Sequence, residues 1–326
     1  MTGNDARRAS GGAPVHTASD KRTDLDGLAA MVADGAMVAV GGGLSSREPI
    51  AILRAMLRRK IRNLHVVGSA HGIDIDLLCG GGAVSRCGES YVGFEQDFGI
   101  APNYRRACEA GEVRVDDSCC YTLVQQLRAA IMGLPFLPVR SVRGTGIAGL
   151  HREYRTMACP FTGEELLLVP ALVPDVAILH AQYGDAQGNL RIEGPPVADI
   201  LFVRASRTVI ASVEEIVSTE HLVELGGITI PHFYVTALAE VPMGAHPTAC
   251  YPFYAYDRPH TRRYHEAARG GAERFAEDYL KPFVEDCADH DTYCRRIGGE
   301  ETRRRLASWA DGTEAWMALY RDEVPA

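Results

Sequence analysis

The residues best placed to do chemistry lie in the run Asp34-Gly-Ala-Met-Val-Ala-Val-Gly-Gly-Gly-Leu-Ser-Ser-Arg-Glu-Pro49. A short apolar stretch ends in Gly41-Gly42-Gly43, and a helix with Pro49 in its first turn follows. Consecutive glycines let backbone N–H groups approach a ligand, and the positive end of the following helix aims at the same place. A tight strand-to-helix turn with no ligand explains the pattern equally well. His180 closes the apolar run 176–180, where either a catalytic or a structurally satisfied imidazole fits. Glu214-Glu215 follows another apolar run and reads as an acid–base pair or an exposed strand end. His246, between Gly244 and Pro247, reads as positioning a turn. Cys287, His290 and Cys294 could set three metal ligands on adjacent helical turns, with no fourth evident. Gly144-Thr-Gly146-Ile-Ala-Gly149 matches G-x-G-x-x-G. Pro135 and Pro138 precede it and Cys159-Pro160 follows, so it reads as a surface loop rather than a dinucleotide turn.

Other chemistries are excluded by what surrounds these residues. Lysine occurs only at Lys21, Lys60 and Lys281, and none sits in a Gly-Lys-Ser/Thr phosphate loop. Lys60 lies in a charged run and Lys281 precedes a proline, which suits neither for Schiff-base chemistry. No Gly-x-Ser-x-Gly nucleophile elbow is present. The chain has 326 residues, 46% hydrophobic and 23% charged, with a net charge of −8. That is a globular composition without the basic field that nucleic acid or an anionic membrane would demand. Nine cysteines, no Cys-x-x-Cys pair and no secretory signal point to reduced thiols in the cytoplasm. No apolar run approaches the ~18–20 residues of a membrane span.

The elements that must position these residues follow from hydrophobic periodicity. Leu25, Leu28, Ala29 and Val32 have helical spacing, and residues 36–40 form a short strand ending in glycine. Ile50, Leu53, Ala55, Met56 and Leu57 continue as a helix, and 64–68 is a second strand. Strand, glycine turn, helix and strand make a βαβ unit, which requires a parallel sheet with a right-handed crossover. The runs 176–180 and 208–213 are near-continuous apolar strands, as burial on both faces demands. Residues 113–115 read as a strand and 123–132 as a helix. The fold expected is α/β, an open and mainly parallel sheet with helices on both faces. Residues 1–20 read as a mobile tail, 21–285 as the α/β domain, and 286–326 as a helical C-terminal extension.

These segments resemble the class I coenzyme A transferases, whose N-terminal signature is Asp/Asn-Gly, two free positions, three aliphatics, Gly-Gly-Phe, three free positions, Gly, one free position and Pro. Asp34-Gly35, Val38-Ala39-Val40, Gly41-Gly42 and Pro49 fit it in register, with Gly43 for the Phe and Arg47 for the later Gly. The Arg47-x-Pro49-Ile50-Ala51 version is similar to the α-subunit branch of the glutaconate CoA-transferases. Asp74-Ile-Asp-Leu-Leu78, Gly133-Leu-Pro-Phe-Leu-Pro138, Pro170-Ala-Leu-x-Pro-Asp175, His180-Ala-Gln182 with Gly188-Asn189, Ser212-Val-Glu-Glu-Ile-Val217 and Gly244-Ala-His-Pro247 agree in order.

The resemblance implies an α subunit that works with a β subunit to form a heteromer, taking a coenzyme A thioester as substrate, with no permanently bound cofactor. In the two-subunit members the nucleophilic glutamate lies in a Ser-Glu-Asn-Gly of the β subunit, and none of the four asparagines here follows a glutamate. The α subunit would supply amides at Gly41, Gly42 and Gly43 and the Ser69 hydroxyl. Arg47 would grip a substrate carboxylate in a bidentate fork, or else pair with a neighbouring acid. The chain is also similar to the α subunits of steroid-ring-opening CoA hydrolases, which draw their catalytic acid from that subunit. Asp116-Asp117 stands in the matching place, with Asp for the expected Glu. Asp117 would then be the general base for water, or one of the pair would cap the helix that follows. A non-catalytic acyl-CoA-binding module is the reading from another class.

Overall fold

A computed structural model of the protein describes residues 19–310. Residues 1–18 of the expected tail and 311–326 of the expected C-terminal extension lie outside them. The strands, in chain order, are β1 (Met37–Val40), β2 (Leu64–His71), β3 (Val84–Val92), β4 (Arg114–Val115), β5 (Phe136–Val139), β6 (Arg155–Ala158), β7 (Glu165–Pro170), β8 (Val176–Gly184), β9 (Leu190–Arg191), β10 (Thr208–Ile216) and β11 (Ala237–Glu240). The main sheet runs β11-β10-β8-β1-β2-β3-β4, every neighbour parallel, with β9 added antiparallel to β8.

The central strands are mainly apolar because both faces are covered. Val38 and Val40 enter the core layer of helices Ile50–Arg58 and Ile73–Gly80, whereas Ala39 enters the layer of helices Cys120–Ile131 and Asp199–Ala205. Val66 and Val67 divide between the layers in the same way. The segment 258–310 closes the first layer with four aromatic side chains, Tyr264, Phe275, Tyr279 and Phe283, stacked edge or face within 6 Å of a neighbour. Beyond it lie helices His290–Arg296 and Gly299–Ala310.

The chain passes from β1 outward through β2 and β3, and later returns to the other side of β1 with β8. This reversal opens a crevice at the carboxyl ends of β1 and β8, the place where open α/β sheets receive ligands. Gly41–Gly43 lie at that point. A second, antiparallel sheet, β5-β7-β6, is not foreseen from the sequence. The expected strand at 113–115 shrinks to the two residues of β4 at the sheet edge. The expected helix at 123–132 begins earlier, at Cys120. Gly144, Gly146 and Gly149 are exposed, in a loop ending in a four-residue helix.

Candidate functional site

The glycine turn is built from the inside. Gly41 N–H donates to Ile178 O (2.8 Å), Gly43 N–H to Ser46 O (3.0 Å), and Leu44 N–H to Ala70 O (3.3 Å). Gly42 N–H donates to Asp199 Oδ1 at 2.7 Å. A Cβ on Gly41 would fall 2.3 Å from Leu179 Cδ2, and Gly42, at φ +77°, would place one 2.5 Å from Arg47 O. The glycines are therefore demanded by close packing and by the left-handed turn. Their amides, expected to face a ligand, are spent on the chain itself.

Of the two roles expected for Arg47, the structure shows the pairing with an acid. Arg47 is 2% exposed and reaches Asp199 Oδ2 at 2.6 Å, Pro195 O at 3.0 Å and His180 O at 3.4 Å. A guanidinium so engaged braces the turn. Asp199 thus holds Gly42 with one oxygen and Arg47 with the other. Ser69, by contrast, lies half-buried near the carboxyl end of β2, beside the turn.

The histidines and acids singled out by sequence divide by burial. His180 lies within β8 rather than at its end, fully buried, bonded through Nδ1 to Ser212 Oγ (2.8 Å) and through Nε2 to Glu214 Oε1 (2.7 Å). Glu214 also accepts from Met243 N–H, Gly244 N–H and the Tyr254 hydroxyl. Alternation along β10 buries Glu214 and exposes Glu215, so the two do not act as a pair. His246 bonds the Tyr293 hydroxyl and Asp257, fixing its turn as expected. Asp116 is a hub for Arg86, Arg114 and His65. Burial and the Arg86 cation push the His65 imidazole down to about 4, against the opposing pull of Asp116. Asp117 is exposed, its backbone oxygen accepting from His151. Cys119, not Asp116 or Asp117, stands at the N-cap of the following helix, so neither aspartate caps it. Cys287, His290 and Cys294 do not converge: the Cys287 thiol turns to Pro282 O, while His290 Nε2 meets Pro242 O at 2.7 Å and Cys294 Sγ at 3.4 Å.

A cluster that sequence reasoning missed lies under the carboxyl ends of β2 and β3. Glu48, His71, Asp74 and Glu89 are all buried. His71 Nδ1 bonds Asp74 Oδ2 at 2.5 Å, and Glu48 accepts from the N–H groups of Gly72 and Asp74 at 3.2 Å. Burial alone would lower His71, but the charges of Asp74, Glu89 and Glu48 lift it to about 10. Burial pushes Glu89 up to about 7. A signal for Glu89 is present in the sequence: it shares strand parity with Cys87, whose apolar neighbours mark that face as inward.

Residues 22–240 match the coenzyme A transferase family. The chain belongs to that family. Against the α subunit of the glutaconate CoA-transferase of Acidaminococcus fermentans, this coenzyme A transferase chain is 32% identical over 290 residues, 84% of this chain and 90% of that one. The crystal structure of that glutaconate enzyme superposes with a TM-score of 0.80, covering 87% of this chain and 94% of the other. The IpdA subunit of the cholesterol ring-cleaving hydrolase of Mycobacterium tuberculosis is 34% identical over 80% of this chain and 93% of its own length. The crystal structure of the decarboxylase AibA/AibB aligns at 33% identity and a TM-score of 0.73, covering 79% of this chain and 96% of that one. Proteins named for different activities thus share this chain's fold. Among its described residues, no helix is long and apolar enough to cross a membrane.

Proposed function

We propose that this chain is the α subunit of a two-subunit enzyme that moves coenzyme A between an acyl-CoA thioester and a carboxylic acid, with the nucleophilic glutamate supplied by the β subunit. The observation that carries the reading is its match, in sequence over 84% of this chain and in fold over 87%, with a glutaconate CoA-transferase. The burial of Glu48, Glu89 and Glu214 supports it, because each glutamate beneath the crevice is shut off from an incoming thioester. Met132, Phe136, Leu150, Met157 and Phe161, on or beside the small antiparallel sheet, are exposed apolar side chains suited to a partner's cover.

In this reaction the partner's glutamate carboxylate attacks the thioester carbonyl and expels CoA as thiolate, leaving an acyl-glutamyl anhydride. The thiolate attacks the glutamyl carbonyl, releases the first acid and leaves a glutamyl thioester, which the second acid takes through the same two steps in reverse. This chain would wall the acyl side of the crevice, with the Ser69 hydroxyl facing it and the Arg47–Asp199 pair fixing the turn. The test is to co-express the chain with its β subunit, add acyl-CoA, and treat with borohydride. Inactivation that depends on acyl-CoA supports a glutamyl thioester, and full retention of activity refutes it.

The similarity to the IpdA subunit favours a second reading, hydrolysis of a carbon–carbon bond in a CoA-linked ring ketone. Exposed Asp117 would take a proton from the attacking water. Asp117→Asn separates the two. Unchanged turnover refutes the hydrolase, and a loss of two or more orders of magnitude without borohydride sensitivity refutes the transferase.

A further inference from the structure

The buried cluster of Glu48, His71, Asp74 and Glu89 has no part in the reactions above, yet its composition needs an account. Ligand atoms of Glu48, His71 and Asp74 all lie within 4.8 Å of one another, and each residue is at most 1% exposed. Glu89 stands next to them, 5% exposed. Both of its carboxylate oxygens are fully enclosed, and neither has a hydrogen-bond partner among the described residues. Its carboxyl fills the space over Gly68, where a Cβ would fall 2.4 Å from Oε1 and 2.6 Å from Oε2. A buried carboxyl that no group of the chain hydrogen-bonds costs several kcal/mol unless something outside the chain meets it.

A second set, His180, Glu214 and Cys250, brings its ligand atoms equally close and makes the contrast. There the carboxylate already takes two backbone N–H groups and a tyrosine hydroxyl, and both imidazole nitrogens have side-chain partners. Neither its carboxylate nor its imidazole is left over. Beside the first set, the carboxyl of Glu89 is left over.

We propose that Glu48, His71 and Asp74 ligate one divalent cation of the manganese or zinc type, with Glu89 as a neighbouring carboxylate whose charge favours the cation. Carboxylate oxygens with one imidazole nitrogen suit such hard-to-borderline ions. The surrounding backbone already orients the ligands: Gly72 and Ile75 N–H groups hold Asp74 Oδ1, and Gly72 and Asp74 N–H groups hold Glu48. On binding, the proton that His71 Nδ1 shares with Asp74 leaves to solvent, and the freed lone pair goes to the ion. The bound ion would tie the segment after the glycine turn, through Glu48, to the ends of β2 and β3. The proposal stands apart from the acyl chemistry and holds for a transferase or a hydrolase alike.

The test uses the full chain, with its partner where they co-purify, stripped with a chelator and titrated with Mn2+ while the free-ion electron paramagnetic resonance signal is followed. Expected are one Mn2+ per chain, displacement by Zn2+, and a higher thermal midpoint with either ion. His71→Ala and Glu48→Gln should abolish stoichiometric binding, and Glu89→Gln should weaken it by roughly 10–100-fold, as loss of a supporting carboxyl does. Binding that is absent at millimolar Mn2+, or that survives His71→Ala, overturns the proposal. Should the variants fail to fold, the stripped wild-type protein decides: a thermal midpoint that neither ion moves overturns it as well.

Discussion

Removing Asp199 tests whether Arg47 braces the glycine turn or grips a substrate. The pair stands at 2.6 Å with side chains 3% and 0% exposed. At an effective dielectric of about 20, Coulomb attraction at that distance is about 6 kcal/mol, opposed by the cost of desolvating both ions. Truncating one partner leaves the other charged and dry, which costs about 3–5 kcal/mol. Asp199→Ala also strips the acceptor from Gly42 N–H, so it should sit at the upper end of that range. Arg47→Met leaves the acid unpaired and also frees Pro195 O and His180 O, and should fall within the same range. The double variant Arg47→Met/Asp199→Leu should cost less than the sum of the singles, because no lone charge remains. Urea unfolding with a constant m-value reads these differences. A carboxylate clamp predicts the opposite: Arg47→Met would raise KM for the acid substrate and leave stability within about 1 kcal/mol of wild type. That result would refute the bracing role.

Three other outcomes follow from the same contacts. Gly42→Ala forces a Cβ to within 2.5 Å of Arg47 O at φ +77°, and should cost at least about 2 kcal/mol by thermal unfolding; a loss below about 1 kcal/mol would show that the turn can relax. Glu214→Ala orphans His180, the Tyr254 hydroxyl and two backbone amides together, and should cost about 3–5 kcal/mol, with Glu214→Gln milder; equal losses in the two would contradict the hydrogen-bond account. His65 has a folded pKa of about 4, below its ordinary 6.5, so the unfolded chain takes up a proton first as pH falls. Stability should therefore drop between about pH 6.5 and 4, by about 1–2 kcal/mol once partial solvent screening is allowed for. His65→Gln should flatten that slope, and an unchanged slope would assign it to other groups.

What is legible in the sequence depends on how far apart the interacting residues lie. Residues 36–40, 64–68, 176–180 and 208–213 show as strands because burial on both faces leaves a near-continuous apolar run, a local signal. Gly41-Gly42-Gly43 with Pro49 marks the strand-to-helix turn for an equally local reason, namely the backbone freedom needed at Gly42. The purpose of that turn is not local. Arg47 finds Asp199 across 152 residues and Gly42 finds it across 157. A one-dimensional reading therefore sees free amides and a free guanidinium where the folded chain has neither. The same limit hides Glu48 and His71, each ordinary among its sequence neighbours and unusual only when β2 and β3 bring them to Asp74 and Glu89. The small sheet β5-β7-β6 escapes because its strands are largely exposed, Pro138 lies within one and Pro170 ends another. The crevice is thus shaped by polar residues that are used up in shaping it. The proposed catalyst would draw its reactive groups from side chains the scaffold leaves unspent, such as half-buried Ser69 and exposed Asp117, or from a second polypeptide. For that reason the borohydride and Asp117→Asn experiments discriminate between chemistries, whereas substitutions at Arg47 or Gly42 report on the scaffold.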